Sequence, residues 1–205
     1  MRDTAGEEAV TIVTVPGSEA PSSGRVIWLT GVPASGKTTV ANGALAVLRA
    51  AGIHACTLDG DVLRRGLSSD LGYSREQRRE AVRRAAHVAH VLSEQGQVVL
   101  VALVSPYADD RAAARALFPA GTFMEVYVHA PLATCRARDP KGHYSLSAAG
   151  GLSGLTGVDS PYEPPSAPEL ALDTAFLTPA ECVDAVVALI VTPGATLRPR
   201  APVSP

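Results

Sequence analysis

The sequence lacks a charge excess of either sign, and it has few cysteines. Its 205 residues carry a formal net charge of −2, whereas binding to nucleic-acid phosphates calls for a basic excess. No nucleic-acid partner is therefore expected. The three cysteines, Cys56, Cys135 and Cys182, cannot pair evenly and lack metal-ligand spacing. Reduced cysteines in a cytoplasmic protein are the simplest interpretation.

Long apolar runs are also lacking. No run approaches the roughly 20 residues that a membrane-spanning helix needs, so no membrane association is expected. The first ten residues, MRDTAGEEAV, are acidic, whereas a secretory signal begins basic and continues apolar. With 46% hydrophobic and 19% charged residues, the chain has the composition of an ordinary globular protein. Its length suits one domain and is short for two.

Proline is absent between Pro33 and Pro106, whereas four prolines fall in 161–168 and four in 193–205. The gap leaves room for uninterrupted helices and strands, because proline would remove backbone donors there. We predict a flexible arm over 1–23, whose run VTIVTV could add an edge strand. One domain is predicted over 24–191, followed by a disordered, proline-rich tail over 192–205.

Strands and helices alternate along this domain. Strands are predicted over 25–30, 54–60, 97–105, 123–129 and 169–174, and helices over 37–51, 75–95, 109–117, from 131 and over 179–191. The run over 97–105 is continuously apolar, which is typical of a strand covered on both faces. The alternation predicts an α/β fold with a parallel sheet and helices on both faces. Ligands then bind at the carboxyl ends of the strands.

A phosphate-binding loop follows the first predicted strand. Residues 31–38 match G-x-x-x-x-G-K-[ST] at every fixed position and open a predicted helix. The residues expected to bind the nucleotide are Gly31, Val32, Pro33, Ala34, Ser35, Gly36, Lys37, Thr38 and Thr39. Glycines let backbone N–H groups turn toward a phosphate, and the helix amino terminus adds positive potential. The Lys37 side chain is expected to reach the terminal phosphates, and the Thr38 hydroxyl to ligate Mg²⁺.

The loop predicts a P-loop NTPase-type fold that binds ATP with Mg²⁺. GTP-binding switches read guanine with an Asn-Lys-x-Asp sequence, and the chain contains none. ATP is therefore favoured over GTP.

Two carboxylates are expected near the loop, in LDGDVLRRGL over 58–67. Asp59 and Asp61 follow the second predicted strand, so they would stand at its carboxyl end. Either could hold Mg²⁺, and either could accept the proton of an attacking hydroxyl. Arg64, one helical turn on, could hold an anionic acceptor. An alternative interpretation is an aspartate helix cap beside a surface arginine.

At this point the chain resembles the adenylyl-sulfate kinases. The resemblance covers about 150 residues in the right order and includes rare strings. These are the phosphate loop preceded by Trp28, LDGD..R.GL, DLGYS (70–74), R..E..RR (78–84), VSPY (104–107), EVYV (125–128), CRARDPKG.Y (135–144) and TGVDSPYEPPSAPELALDT (156–174).

The resemblance implies a P-loop kinase domain over 24–191, with a lid at about 140–157. It implies transfer of the ATP γ-phosphate to the 3′-hydroxyl of adenosine 5′-phosphosulfate, by a homodimer. Asp61 would be the acid/base or Mg²⁺-organising carboxylate. Arg64 and Arg78 would hold the phosphosulfate of this small-molecule acceptor. Tyr73 would pack against its adenine.

Further residues take roles from the resemblance. Val104 and Ser105 would contact the acceptor, and Arg138 would lie beside the ATP adenine. Ser105 matches a serine sometimes described as a phosphoserine intermediate. In-line transfer needs no covalent intermediate, which favours a strand-end serine bonded to nearby backbone.

The lid departs from the family's pattern. Residues 142–158 contain no Lys, Arg, Asp or Glu, whereas the family's lid usually carries three lysines and an arginine. Those positions are Ser145, Leu146, Ala148 and Ser153, and Leu155 replaces a phenylalanine that stacks on the acceptor's base. Each lost cation removes a contact worth roughly 1.5–3 kcal/mol.

Two alternatives therefore stay open. One is a kinase of the same fold that phosphorylates another hydroxyl compound, such as one of specialised metabolism. The other is a non-catalytic nucleotide sensor or partner subunit. The intact Lys37, Thr38 and Asp61 argue against a sensor, which could lose Asp61 without harm.

Overall fold

Five parallel strands form one sheet in the order β2-β3-β1-β4-β5. The computed structural model describes residues 24–191. Its strands are β1 (Arg25–Thr30), β2 (Ala55–Asp59), β3 (Val98–Ala102), β4 (Phe123–His129) and β5 (Leu170–Asp173). The central strand β1 lies between β3 and β4, with Ile27 opposite Leu100 and Met124. The predicted parallel sheet is confirmed.

The helices connect these strands. They are α1 (Lys37–Ala50), α2 (Gly60–Arg64), α3 (Arg75–Glu94), α4 (Ala108–Arg115), α5 (Leu132–Arg138), α6 (His143–Ala148) and α7 (Pro179–Val191). The long helix α3 begins with a capping box, in which the Ser74 hydroxyl accepts from the Gln77 N–H and the Gln77 side chain accepts from the Ser74 N–H. This exchange satisfies two backbone donors that a helix start would otherwise leave unpaired.

The sheet separates two apolar cores, because alternate residues of a strand face opposite sides. Ile27 and Leu29 of β1 pack in a cluster with α1 and α7. Val26 and Trp28 face the other way, into a cluster with α3 and α4. Helices therefore cover both faces, and the carboxyl ends of the strands stay open for a site.

The structure differs from the predicted elements in two respects. The apolar run over 97–105 ends as a strand at Ala102, because the chain turns away from the sheet and Ser105 adopts φ 36°. Helix α6 was not predicted, and α2 was predicted only through the alternative interpretation of an aspartate helix cap. The predicted arm over 1–23 and tail over 192–205 lie outside the described residues. None of the helices in the described part of the chain has both the length and the apolar character that a membrane crossing requires.

Candidate active site

The phosphate loop connects β1 to α1, as predicted, and its geometry depends on glycine. A Cβ at Gly31 would lie 2.1 Å from the Val128 carbonyl oxygen, so no side chain fits there. Gly36 precedes α1 with φ 106°, which L residues rarely adopt. The loop therefore passes close to β4 and delivers Lys37 as the first residue of α1.

The Lys37 side chain is buried against its own loop. Its Nζ donates to the carbonyl oxygens of Gly31 at 2.9 Å and Val32 at 2.8 Å. Burial, and then the nearby Lys141, lower the pKa of Lys37 from 10.5 to about 7. A phosphate at the loop would favour the charged form, so this ammonium is suited to bind one.

Asp59 connects the loop to α2. Its Oδ2 accepts from the Thr38 hydroxyl at 2.7 Å, and its Oδ1 accepts from the Asp61 N–H at 2.9 Å. Asp59 is therefore the amino-terminal cap of α2, and it also lies beside the hydroxyl predicted to ligate Mg²⁺. The two interpretations of this aspartate are compatible, because each uses a different carboxylate oxygen.

Asp61 forms an ion pair that the sequence did not predict. The Lys141 ammonium donates to Asp61 Oδ2, and each side chain is about half exposed. Lys141 belongs to the DPKG turn between α5 and α6. Lys141 directly precedes the uncharged stretch over 142–158, and this position was the sequence feature that could have indicated a role in the site.

The predicted acceptor residues lie together. The Arg64 guanidinium lies 4.2 Å from the centre of the Tyr73 ring, and that of Arg78 lies 5.4 Å from it. Arg64 Nη1 donates to the backbone of Leu71 and Gly72. Two cations are thus held against one aromatic ring at fixed positions, which suits an anionic group attached to a planar base.

Arg78 also connects this group to the lid. Its Nε donates to the Tyr73 carbonyl at 2.9 Å, and its Nη2 donates to the Gly154 carbonyl at 2.6 Å. Substitution at Arg78 would therefore disturb both the acceptor residues and the lid.

Ser105 is buried at the turn after β3. Its hydroxyl accepts from Trp28 Nε1 at 3.0 Å, and it lies 3.5 Å from the Leu103 carbonyl. These contacts are those of a strand-end serine bonded within the protein. The phosphoserine role stays a prediction.

Arg138 closes another part of the site. Its guanidinium donates to Thr174 Oγ1 at 2.9 Å and to the Thr174 carbonyl at 2.5 Å. The Thr174 hydroxyl in turn donates to the Ser35 carbonyl of the phosphate loop at 2.9 Å. The predicted place of Arg138 beside the nucleotide base stays a prediction.

The segment predicted to be a lid, residues 140–157, packs on the phosphate loop through a small apolar core. This third cluster consists of Ala130, Cys135, Tyr144 and Leu155, with Val32, Ala34, Leu132 and Leu152 at its margin. The Tyr144 hydroxyl donates to the Pro33 carbonyl at 2.9 Å. Asp139 caps α6 by accepting from the N–H groups of Tyr144 and Ser145. An apolar cluster and hydrogen bonds to the phosphate loop therefore hold the lid in place, together with the contacts of Lys141 to Asp61 and of Arg78 to Gly154.

A cavity of about 490 Å³ unites these parts. It is lined by Pro33, Ala34, Gly36, Lys37, Thr38, Thr39, Asp59, Asp61, Arg64, Tyr73, Arg78, Val104, Ser105 and Arg138 among the predicted residues. Gly31, Val32 and Ser35 shape the loop without lining the cavity. Of the four lid positions that lack the family's cations, Ser153 alone lines it.

The chain is similar to known kinases over most of its length. The sequence profile of the family described as adenylylsulphate kinase matches residues 23–173. The adenylyl-sulfate kinase of Marinobacter nauticus is 47% identical over 165 residues, which are 80% of this chain and 83% of that protein. That of Geotalea uraniireducens is 48% identical over 165 residues, which are 80% of this chain and 79% of that protein.

A solved structure shows the same similarity. The APS kinase CysC of Mycobacterium tuberculosis, in complex with AMPPNP and APS, has a TM-score of 0.80 and 42% sequence identity to this chain. The match covers 84% of this chain and 100% of that one. The similarity in sequence and in fold therefore extends over the part of the chain that forms the cavity.

Proposed function

The chain belongs to the adenylylsulphate kinase family, and from that premise we propose that it transfers the γ-phosphate of ATP to the 3′-hydroxyl of adenosine 5′-phosphosulfate. One observation carries the proposal: a single cavity brings the phosphate loop, two carboxylates and an Arg-Tyr-Arg group together. A kinase needs a phosphate donor site and an acceptor site within one cavity, because the attacking oxygen of the acceptor and the leaving oxygen of the nucleotide must lie in line across the transferred phosphorus.

The reaction proposed for this site is a direct displacement. The 3′-hydroxyl oxygen attacks the γ-phosphorus while the bond to the β–γ bridging oxygen breaks, which yields ADP and the 3′-phosphorylated acceptor. Asp61 accepts the proton of the attacking hydroxyl. Lys37 and the backbone N–H groups of its loop hold the phosphates of ATP.

The oxygen ligands present suit Mg²⁺. Thr38 and Asp59 are in contact, and Asp61 follows on the same helix turn, so a hydroxyl and two carboxylates converge on the phosphate loop. Mg²⁺ is usually held by one or two carboxylates together with substrate phosphates and water. When bound, the ion would neutralise charge on the transferring phosphate. We infer that Thr38, Asp59 and Asp61 hold it directly or through water.

The acceptor side is assigned by its chemistry. Arg64 and Arg78 offer two guanidinium groups for the phosphosulfate. The Tyr73 ring beside them is more than half exposed, and we propose that it packs against adenine. Val104 and Ser105 complete the cavity wall beside them. Family membership and these retained cations support adenosine 5′-phosphosulfate over another hydroxyl compound. The complete set of Lys37, Thr38 and Asp61 supports an enzyme over a sensor.

We also propose the wider organisation. Residues 24–191 act as one kinase domain, with the lid at about 140–157 resting on the phosphate loop through Tyr144. The enzyme acts as a homodimer in the cytoplasm, where its three free cysteines stay reduced. Sedimentation of the full chain at several concentrations tests the dimer.

The activity is tested by incubating the purified chain with ATP and adenosine 5′-phosphosulfate. ATP consumption and the appearance of the 3′-phosphorylated product are followed together. A micromolar KM with ordinary turnover supports the proposal. ATP binding without transfer, or transfer only at millimolar acceptor, would overturn it and would call for a screen of other hydroxyl compounds.

A further inference from the structure

Arg111 of α4 is a buried guanidinium whose three nitrogens all have partners. The residue is 3% exposed. Its Nε donates to Glu125 Oε1 at 2.5 Å, its Nη1 to the Ser105 carbonyl at 2.8 Å, and its Nη2 to the Glu163 carbonyl at 2.8 Å. A buried charge is costly unless it is paired and hydrogen-bonded. The Glu125 carboxylate and the two backbone carbonyls meet that requirement, so the guanidinium is fixed in one orientation.

The two carbonyls belong to segments that are far apart in the chain. Ser105 lies in the wall of the cavity after β3, whereas Glu163 follows the lid. Two more bonds join these segments: the Glu163 N–H donates to the Pro106 carbonyl at 2.8 Å, and Glu163 Oε2 accepts from the Ala108 N–H at 2.7 Å. Arg111 therefore lies where the segment that follows the lid is bound to the cavity wall.

The same place is connected to the phosphate loop. Tyr162, next to Glu163, lies with its hydroxyl 3.0 Å from Thr30 Oγ1. The Thr30 hydroxyl donates to the Val104 carbonyl at 2.8 Å, so Tyr162 is the donor to Thr30. Thr30 directly precedes Gly31. These hydrogen bonds form one network. It joins the residue before the phosphate loop to the cavity wall and to the segment that follows the lid.

We propose that Arg111 is a positioning residue for phosphoryl transfer. Its side chain does not line the cavity in which we propose that phosphate and acceptor bind. It fixes the backbone of Ser105, at its unusual φ of 36°, against Glu163 in the segment that follows the lid. The assignment of Val104 and Ser105 to the acceptor rests on the proposed function. Loss of the Arg111 contacts loosens the acceptor wall directly, because the Ser105 carbonyl is a bonded partner of Arg111. The phosphate loop is affected much less, since it is reached only through Tyr162 and Thr30 and is also held by Lys37 and Thr174.

Arginine is required at this position because its planar fork donates in three directions at once, whereas a lysine ammonium is a single point of charge. Arg115, one turn further along α4, offers a matched control. It lies 3.6 Å from the same Glu125 carboxylate and donates to Glu169 and to the Phe123 carbonyl. It makes no hydrogen bond to Ser105 or Glu163.

The kinetic test compares Arg111→Lys with Arg115→Lys. In Arg111→Lys the KM for adenosine 5′-phosphosulfate should rise about tenfold, the loss expected of one charge-assisted bond. The KM for ATP should change by less than about twofold, which a general weakening of the fold would not produce. Arg115→Lys should leave both constants near those of the unchanged chain. The proposal would be overturned if Arg111→Lys changed the KM for ATP as much as the KM for adenosine 5′-phosphosulfate. It would also be overturned if Arg115→Lys changed these constants as much as Arg111→Lys does.

A second test needs no substrate, so it separates this proposal from the proposed function. Hydrogen exchange is measured at the amides of Ala108 and Glu163, which both close the contact between wall and lid. Exchange should be about tenfold faster in Arg111→Lys than in Arg115→Lys, because local opening becomes easier. Unchanged exchange at these two amides would overturn the proposal. If the chain transfers no phosphate to adenosine 5′-phosphosulfate, only the proposed function is refuted. The exchange measurement still shows whether Arg111 holds the cavity wall in position.

Arg111→Lys removes a buried contact and could prevent folding. Glu125→Gln is then used, because an amide oxygen can still accept from Arg111 while the charge is lost. Exchange at Ala108 and Glu163 should rise about threefold relative to Glu169→Gln, a smaller loss than that of a whole charge-assisted bond. Equal exchange in these two variants would overturn the proposal.

Discussion

Lys141 forms an ion pair with Asp61 across 80 residues of sequence. The pair joins the first part of the lid to a carboxylate in the first turn of α2. Because both side chains are about half exposed, the pair adds little to the stability of the fold. The pair matters for the site, because it places the Lys141 ammonium beside the Asp61 carboxylate. We propose that this carboxylate accepts the proton of the acceptor hydroxyl.

Asp61→Asn should lower kcat by about a hundredfold or more, because a lost general base typically costs that much. ATP binding should be kept, since Lys37 and the loop are unchanged. Turnover assays and calorimetric titration with ATP measure the two effects.

Lys141→Met is the matched control for this prediction, because it breaks the same ion pair from the other side and keeps the carboxylate. We expect a loss in kcat of only about tenfold, as for one charge contact. Equal losses in the two variants would mean that the ion pair, and not the carboxylate, supports turnover.

Ser153→Lys should strengthen acceptor binding. Ser153 lines the cavity, and a lysine there could reach the anionic acceptor, where a charge-assisted bond is worth about 1.5–3 kcal/mol. The KM for adenosine 5′-phosphosulfate should fall about tenfold. Ala148→Lys adds the same charge at an exposed position of α6 outside the cavity lining, and should leave this KM unchanged. A similar fall in both variants would point to general electrostatic attraction.

Tyr144→Phe should weaken ATP binding. The phenol donates to the Pro33 carbonyl, and burial raises the pKa of Tyr144 to about 12, so it stays a neutral donor near neutral pH. Loss of the bond costs about 0.5–1.5 kcal/mol, which predicts a rise of about threefold to tenfold in the KM for ATP. Tyr73→Phe, whose ring face is kept, should change neither substrate's KM, and a comparable effect there would contradict the assigned role of Tyr144.

Glu169→Gln should destabilise the fold near neutral pH and much less in acid. Burial raises the pKa of Glu169, but hydrogen bonds from Arg115 and from the Glu125 N–H lower it further, so the pKa lies below its usual 4.5. A carboxyl with a lowered folded pKa stabilises the protein above the unfolded pKa, and this stabilisation is lost as pH falls through the folded value.

The ion pair between Glu169 and Arg115 is partly exposed. We therefore expect Glu169→Gln to lose about 1 kcal/mol in the free energy of unfolding at neutral pH. Urea unfolding at about pH 7 and about pH 3 measures it. Glu94→Gln, at an exposed position, is the control. A difference between Glu169→Gln and the unchanged chain that is the same at both pH values would contradict this explanation.

The sheet and its flanking helices were predictable because each leaves a local signal. Buried parallel strands such as β3 are continuous apolar runs, and α3 shows both helical spacing and a capping residue, Ser74. The helix α6 leaves no such signal. Its sequence HYSLSA has no apolar stripe, and its N-cap position is Gly142, which offers no side chain. The carboxylate that accepts from its first turn, Asp139, lies four residues before the helix, ahead of a proline and a glycine.

The site was predictable where the chemistry lies in one short string. Lys37 and Thr38 are fixed by the phosphate loop, and Asp61 by its strand end. Lys141 and Arg111 were missed for a different reason. A turn lysine and a helix arginine look like solvated residues in sequence, and only the tertiary fold brings one to Asp61 and buries the other beside Glu125.

The small apolar cluster beneath the lid has a consequence for how this enzyme can change. Tyr144 and Leu155 anchor the lid from inside, so exposed side chains such as those of Ala148 and Ser153 contribute little to holding it in place. Replacement of charges at those outer positions leaves the main cores and the phosphate loop untouched. Substrate preference and structural integrity are therefore separable traits in this chain, and the lid is the segment where new acceptor specificities can be selected at little risk to folding.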